Sequence, residues 1–130
     1  MTRRAGIVLG LAILGAALVG CGGGAGGPGS GQSTAEPNSP TISATNLMFD
    51  KTELDVPAGR PFTLVFENRD SAPHDVAIYR DANATDALFK GEVFSGPGSR
   101  VYAVPALPAG TWFFRCDVHT DMHGTVVAAP

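Results

Sequence analysis

The sequence contains only three histidines and two cysteines, and it has no run of basic residues beyond Arg3 and Arg4. Nucleic-acid binding needs a patch of Lys and Arg that displaces counterions from phosphates. The chain has no such patch, and its net charge is −3. The composition therefore argues against nucleic-acid binding. The scarcity of thiols and imidazoles limits metal chemistry to one small site.

Aromatic residues are absent from Met1–Pro40, and all ten of them lie between Phe49 and Phe114. The sequence therefore divides into a non-globular front and a globular back, residues 41–130. A domain of that size buries a core without disulfides, which become necessary only below about 40 residues. A chain of 130 residues has room for one domain, which excludes the large multi-domain enzymes.

Residues 1–20 have the pattern of an export signal. Arg3 and Arg4 precede an uncharged run that is shorter than the about 20 residues a membrane-spanning helix needs. The run ends in Leu18-Val19-Gly20-Cys21, which resembles the lipobox of bacterial lipoproteins. The resemblance implies that residues 1–20 are a signal peptide and that Cys21 is lipidated. An uncleaved membrane anchor is the alternative. Either way, we expect the domain outside the cytoplasm, anchored to the cell membrane or facing the periplasm.

Residues 21–40 are rich in Gly, Ser and Pro and predict a flexible linker of ~25 Å root-mean-square length, from ~5–6 Å × √n. Such a linker would hold a small domain clear of a membrane surface. Without residues 1–20, the chain has seven basic against twelve acidic residues. Lipidation of Cys21 would leave Cys116 as a lone thiol in an exported protein. That thiol needs an explanation, and metal binding is one.

Apolar residues from Thr41 onward alternate with polar ones or form short runs broken by Pro and Gly. Only Asp81–Leu88 is compatible with a turn of helix. About eight short strands at this spacing predict an all-β sandwich or barrel. The predicted strands are Thr41–Phe49, Glu53–Val56, Phe62–Asn68, Asp75–Arg80, Leu88–Phe94, Arg100–Val104, Thr111–Cys116 and Gly124–Ala128.

Three potential metal ligands follow one another between two predicted strands: Cys116, His119 and Met122, with the spacing C-x2-H-x2-M. Strand alternation places Cys116 on the face of Phe114, toward the apolar interior. His74 opens an earlier strand, and in a sandwich a strand start and a later strand end can be neighbours at one pole. Two imidazoles and a thiolate with a long axial thioether form the blue-copper electron-transfer site.

Two alternatives concern the same residues. Zinc could bind Cys116, His119 and His74, with His123 or Asp121 as a further ligand. His123 could also displace Met122 as the axial ligand, bind a second metal ion, or be solvated. The remaining histidines are too few for the additional copper sites of multicopper oxidases or nitrite reductases.

Four segments together resemble the small blue copper proteins, the cupredoxins, and the ligand-loop spacing resembles the amicyanin type. The resemblance covers roughly Thr41–Ala128. The segments are Ala72-Pro73-His74-Asp75-Val76, Gly110–Cys116, the C-x2-H-x2-M loop and Gly124–Val127.

This resemblance implies a cupredoxin-like Greek-key sandwich of eight strands over residues 41–130, with one copper ion near one end. His74, Cys116 and His119 would be the equatorial ligands, Met122 the axial ligand, and His119 the solvent-facing electron port. Asp75 departs from the family, which often has Asn there. A carboxylate could tie the two ligand loops together only as an acceptor.

The sequence therefore predicts a membrane-tethered mononuclear copper protein that transfers single electrons outside the cytoplasm and is no enzyme. We expect a monomer whose acidic net charge favours a basic partner surface, such as a c-type cytochrome or a redox enzyme. The alternatives are a copper-binding or copper-delivery lipoprotein, and an adhesion module that uses no metal.

Overall fold

The computed structural model describes residues 33–130, which form eleven β-strands and no helix that could span a membrane. The predicted signal peptide and Cys21 lie outside the described residues. The strands are β1 Thr41–Thr45, β2 Met48–Phe49, β3 Glu53–Pro57, β4 Phe62–Asn68, β5 Pro73–His74, β6 Ala77–Tyr79, β7 Ala87–Lys90, β8 Phe94–Ser95, β9 Gly98–Val104, β10 Gly110–Arg115 and β11 His123–Ala129.

The strands form two main sheets and one short pair. The first sheet has the order β2-β1-β4-β9, the second has the order β3-β11-β10-β6-β7, and β5 pairs with β8. The pairs β1–β4 and β3–β11 are parallel, and the other pairs are antiparallel. This arrangement confirms the predicted all-β sandwich.

The core lies between the two sheets because strands of both sheets alternate buried and more exposed side chains. In β4, Phe62, Leu64 and Phe66 are buried, as a two-residue period requires. Phe66 is fully buried, and its ring lies 6.2 Å from the ring of Phe49. Phe49 in turn lies 5.5 Å from Phe114 in the opposite sheet, so aromatic contacts join the two layers.

Two predicted strands are interrupted in the structure. Thr41–Phe49 is interrupted by Asn46 and Leu47, which have positive φ angles of 53° and 60°. Asn adopts this left-handed conformation readily, whereas for Leu it is uncommon. The sequence pattern does not predict a turn there because Leu47, Met48 and Phe49 form a short apolar run that resembles the continuation of a strand.

The predicted strand Leu88–Phe94 also divides in two, at Gly91. The Gly91 N–H donates to the Val76 carbonyl at 2.9 Å, and a Cβ on this residue would come within 2.8 Å of the Tyr102 ring. Only glycine fits this close approach. The predicted turn of helix over Asp81–Leu88 is wrong, because residues 81–86 form a turn and β7 begins at Ala87.

Residues 36–40 contact the beginning of β4. The Ser39 hydroxyl lies within hydrogen-bond distance of the Thr63 hydroxyl, and the Val65 N–H donates to the Pro40 carbonyl at 2.9 Å. The chain therefore enters the sandwich at one end of β4. The other end of β4, at Asn68, carries the loop that leads to His74.

Phe66→Ala tests the importance of the aromatic core. We expect it to lower the free energy of unfolding by about 3–5 kcal/mol, because the truncation removes a buried ring and leaves a cavity. Met48→Ala is the control, since Met48 is 67% exposed. Urea unfolding followed by circular dichroism measures both. A similar loss in both variants would contradict this view of the core.

Candidate metal centre

His74, Cys116 and His119 meet at one pole of the sandwich. β5 carries His74, and Cys116 follows the end of β10, with His119 in the loop before β11. Cys116 Sγ lies 3.7 Å from His74 Nδ1 and 3.9 Å from His119 Nδ1, and the two Nδ1 atoms are 3.1 Å apart. Among residues 33–130, these three side chains form the cluster of His, Cys and acidic groups whose ligand atoms are close enough together to hold a metal ion.

The three separations fit one metal ion between the three atoms. With zinc bond lengths as a guide, about 2.3 Å to sulfur and about 2.05 Å to nitrogen, three donors spread evenly around one ion lie about 3.8 Å apart for S and N and about 3.5 Å apart for the two N atoms. The two S–N distances match these values, and the N–N distance is somewhat shorter. A thiolate favours Cu(I), and imidazoles also accept Cu(II). The donor set therefore fits one copper ion.

Burial differs among the donors. Cys116 and His74 are fully buried, and His119 is half-buried. The burial of Phe114 and Cys116 confirms the predicted strand alternation at the end of β10. Burial raises the pKa of the Cys116 thiol. Metal binding must therefore remove a proton from this sulfur.

Met122 closes the ligand loop. The Met122 N–H donates to the His119 carbonyl, and the Met122 carbonyl accepts the Cys116 N–H, both at 2.9 Å. The Met122 side chain is buried. These bonds hold the residue beside Cys116, in keeping with the position that the family resemblance implies for the axial ligand.

His123 and Asp121 do not join the donor group. His123 is exposed, and its ring lies 5.4 Å from that of Phe113. Asp121 is also exposed. A structural zinc site would need a fourth nitrogen, oxygen or thiolate donor from the protein, whereas the buried residue in this loop is the thioether Met122. This arrangement favours copper over zinc.

Asp75 ties the two ligand segments together. Its Oδ1 accepts a hydrogen bond of 2.7 Å from the N–H of Asp117, the residue after Cys116. Asp75 is 1% exposed, and this burial raises the pKa of its carboxyl group, although the Asp117 N–H opposes the effect. The carboxylate thus acts as an acceptor, the only role open to it.

Asn68 shapes the loop before His74, a role that the sequence analysis missed. Its Nδ2 donates to the carbonyls of Ala72 and Phe94 at 2.9 and 2.8 Å, and its Oδ1 accepts from the Asp70 N–H at 3.0 Å. Both the nitrogen and the oxygen of this fully buried amide therefore have hydrogen-bond partners. The sequence signal for this role was the position of the Asn, at the end of a predicted strand and directly before a turn sequence.

Asp70 is a second missed residue. Its Oδ2 lies 3.0 Å from His74 Nε2, and the carboxylate also accepts from the N–H groups of Leu47 and Asn46 at 3.0 and 2.8 Å. These two N–H groups, that of Leu47 first, hold the pKa of Asp70 below its ordinary value. A carboxylate on Nε2 keeps the proton there and leaves His74 Nδ1 free to bind a metal.

Comparisons with known proteins agree with this geometry. The chain matches the family model of the Cupredoxin-like domain over residues 11–128. A comparison with curated protein sequences gives no match.

Solved structures show the same fold. Reduced auracyanin from Roseiflexus castenholzii is 23% identical, with 75% of this chain and 100% of that chain covered and a TM-score of 0.63. Auracyanin A from Chloroflexus aurantiacus, described as a "blue" copper protein, is 24% identical over 72% of this chain and 100% of that chain, with a TM-score of 0.63. Amicyanin from Paracoccus versutus is 22% identical over 73% and 85%, with a TM-score of 0.56.

Asp70→Asn tests the contact with His74. We expect the affinity for Cu(II) to fall by about 10–100-fold, because a neutral amide supports the imidazole less well than a carboxylate does. Competition with a chelator measures the affinity. Asp50→Asn is the matched control. Asp50 accepts the Ser43 N–H in the β1–β2 hairpin, the same hairpin whose turn donates to Asp70, but it does not contact His74. An equal loss in both variants would contradict the role of Asp70.

Proposed function

Because the chain belongs to the Cupredoxin-like domain family, we propose that it is a mononuclear type 1 copper protein that carries single electrons. The observation that supports this proposal most strongly is the convergence of one thiol sulfur and two imidazole nitrogens at a buried pole. A bound copper ion would supply a one-electron Cu(I)/Cu(II) couple.

We propose that His74, Cys116, His119 and Met122 would hold the copper ion through two imidazoles, a thiolate and a thioether. His74 is held by Asp70, and the peptide after Cys116 is held by Asp75. Since these bonds fix the donors, the ligand atoms need to move little when the charge of the site changes. A small rearrangement is what rapid electron transfer requires.

Four protein ligands would leave no open coordination position for a substrate. Catalytic metal sites, in contrast, keep one position for water or substrate. This difference supports an electron carrier rather than an enzyme. The buried, hydrogen-bonded donors also favour retention of copper over its delivery to another protein.

His119 is the donor with access to solvent, since it is half-buried while His74 and Cys116 are fully buried. Its neighbour Val118 is 44% exposed, and Pro73 is also exposed. We propose that electrons pass through the His119 edge to a redox partner such as a c-type cytochrome or a redox enzyme. The acidic net charge favours a partner with a basic surface.

We further propose that lipid on Cys21 anchors the domain to a membrane outside the cytoplasm. The sequence of residues 1–21 supports this proposal. The position of residues 36–40 also supports it, because they contact the end of β4 that lies opposite Asn68 and the metal pole. A tether at that end would leave His119 facing away from the membrane.

Cys116→Ser tests the copper site. Titration of the purified full chain with Cu(II) is expected to give an intense visible thiolate-to-copper band at one equivalent, and the variant is expected to lose it. His123→Ala is the control, a histidine next to the ligand loop that should keep the band. Weak bands that are identical in all three proteins would overturn the proposal. Loss of copper to a chelator in one oxidation state would favour copper delivery.

Cys21→Ser tests the membrane anchor. In a bacterial host that processes lipoproteins, the unchanged chain is expected in the membrane fraction, labelled by radioactive fatty acid. The variant should lose this label, whereas Cys116→Ser should keep it. Label that persists without Cys21 would contradict lipidation there, and an unlabelled chain in the membrane fraction would indicate an uncleaved anchor.

A further inference from the structure

The side chain of Asp117, directly after Cys116, receives hydrogen bonds from three other side chains. The Tyr79 hydroxyl lies 2.6 and 2.7 Å from its two oxygens, Lys90 Nζ donates at 3.0 Å and Arg115 Nε donates at 3.0 Å. The assignment of the copper ligands does not use this cluster, which we call the Asp117 cluster.

Strand register explains why these donors meet. Arg115 of β10 pairs with Ala77 of β6, and Ala77 pairs with Lys90 of β7, so Lys90 and Arg115 lie in one row across the sheet. Tyr79 lies two residues along β6 from Ala77, on the same outer face. Strand alternation turns Cys116 inward and Asp117 toward this face.

The peptide between Cys116 and Asp117 is therefore held from two sides. On the inner side, the Asp117 N–H donates to Asp75 at 2.7 Å. On the outer side, the Asp117 carboxylate is bound to Tyr79, which is 2% exposed. Hydrogen bonds to a carboxylate are short and about twice as strong as those between neutral groups.

The contribution of each donor differs. Lys90 is an exposed side chain, 59% accessible, and exposed ion pairs contribute little. Tyr79 is buried, and its one O–H group lies within hydrogen-bond distance of both carboxylate oxygens, so it constrains the direction of the Asp117 side chain. Arg115, 25% exposed, contacts one of the two oxygens, whereas the Tyr79 hydroxyl faces both and so defines the direction of the carboxylate.

We propose that Asp117 and Tyr79 are positioning residues that hold the Cys116 sulfur in place at the metal. The proposal rests on the proposed copper function. The Tyr79 hydroxyl, acting through Asp117 and the peptide bond between Cys116 and Asp117, determines the direction of the sulfur. Neither residue touches the metal.

The cluster has two other interpretations that make different predictions. If Asp117 acted only through its negative charge, removing the Tyr79 hydroxyl would have little effect on the site, since the charges would be unchanged. If the cluster only stabilised the fold, the loss of any comparable buried hydroxyl would have the same effect. Tyr79→Phe therefore separates positioning from charge, and Tyr102→Phe supplies the comparison with stability.

The experiment uses the copper-loaded full chain and four variants. Tyr79→Phe removes the hydroxyl at constant charge, and Asp117→Asn removes the carboxylate. Tyr102→Phe is the matched control for the first, because the Tyr102 hydroxyl donates to the Glu92 carbonyl at 2.8 Å. Asp86→Asn is the control for the second, because Asp86 pairs with Arg80 at the surface. Circular dichroism of the metal-free proteins verifies folding.

Two measurements report on the sulfur. The first is the position and intensity of the thiolate-to-copper absorption band, together with the copper hyperfine splitting in electron paramagnetic resonance. The second is the rate of copper release to a chelator. We expect both Tyr79→Phe and Asp117→Asn to change the band and to weaken copper retention by about 10–100-fold, as changes beside ligands commonly do. The two controls should match the unchanged protein.

Three results would overturn the proposal. One is a change in Asp117→Asn alone, which would indicate a charge effect. Another is no change in either variant. The third is an equal change in Tyr102→Phe, which would indicate stability alone.

If the unchanged chain gives no thiolate band, the proposed copper function itself fails, and this outcome is distinct from the other three. If Asp117→Asn does not fold, Tyr79→Phe still decides the question.

Discussion

Donor atoms that are far apart in the chain must meet at one buried point, and much of the surrounding structure serves this requirement. Cys116 Sγ and His74 Nδ1 are 3.7 Å apart, although 42 residues separate them. Burying a polar group has a free-energy cost unless it is hydrogen-bonded. The partner of His74 is Asp70, and the peptide after Cys116 is held by Asp75. These contacts place the donors before any metal arrives.

The strands and the ligand loop could be predicted because their signals are local. The two-residue period of Phe62, Leu64 and Phe66 is visible in the sequence, and these side chains form one buried face of β4. The same period predicted that Cys116 points inward, and the spacing to His119 was enough to place both on one loop. His74 was expected at the same pole because it opens an earlier strand, and the observed donor group brings it to the other two.

The family resemblance offered a role for Asp75, but the other supporting residues could not be predicted because their partners are distant in sequence. Asp70 meets Asn46 across 24 residues, and Asp117 meets Tyr79 across 38. An acidic residue in a turn is ordinary, and only the folded chain shows which N–H or hydroxyl group it faces. The break at Leu47 was missed for a related reason, since the carboxylate of Asp70 binds the N–H of that left-handed residue. The signal peptide, Cys21 and the partner remain predictions.

The buried thiol of Cys116 also affects the molecule before it is loaded. Oxidation to sulfenic acid and disulfide exchange both proceed through the thiolate and need access to the sulfur. Cys116 offers neither, because its side chain is fully buried and its pKa is raised by that burial. Burial and the raised pKa therefore slow oxidation of this sulfur in a metal-free chain, which protects the site during the interval between folding and the arrival of the ion.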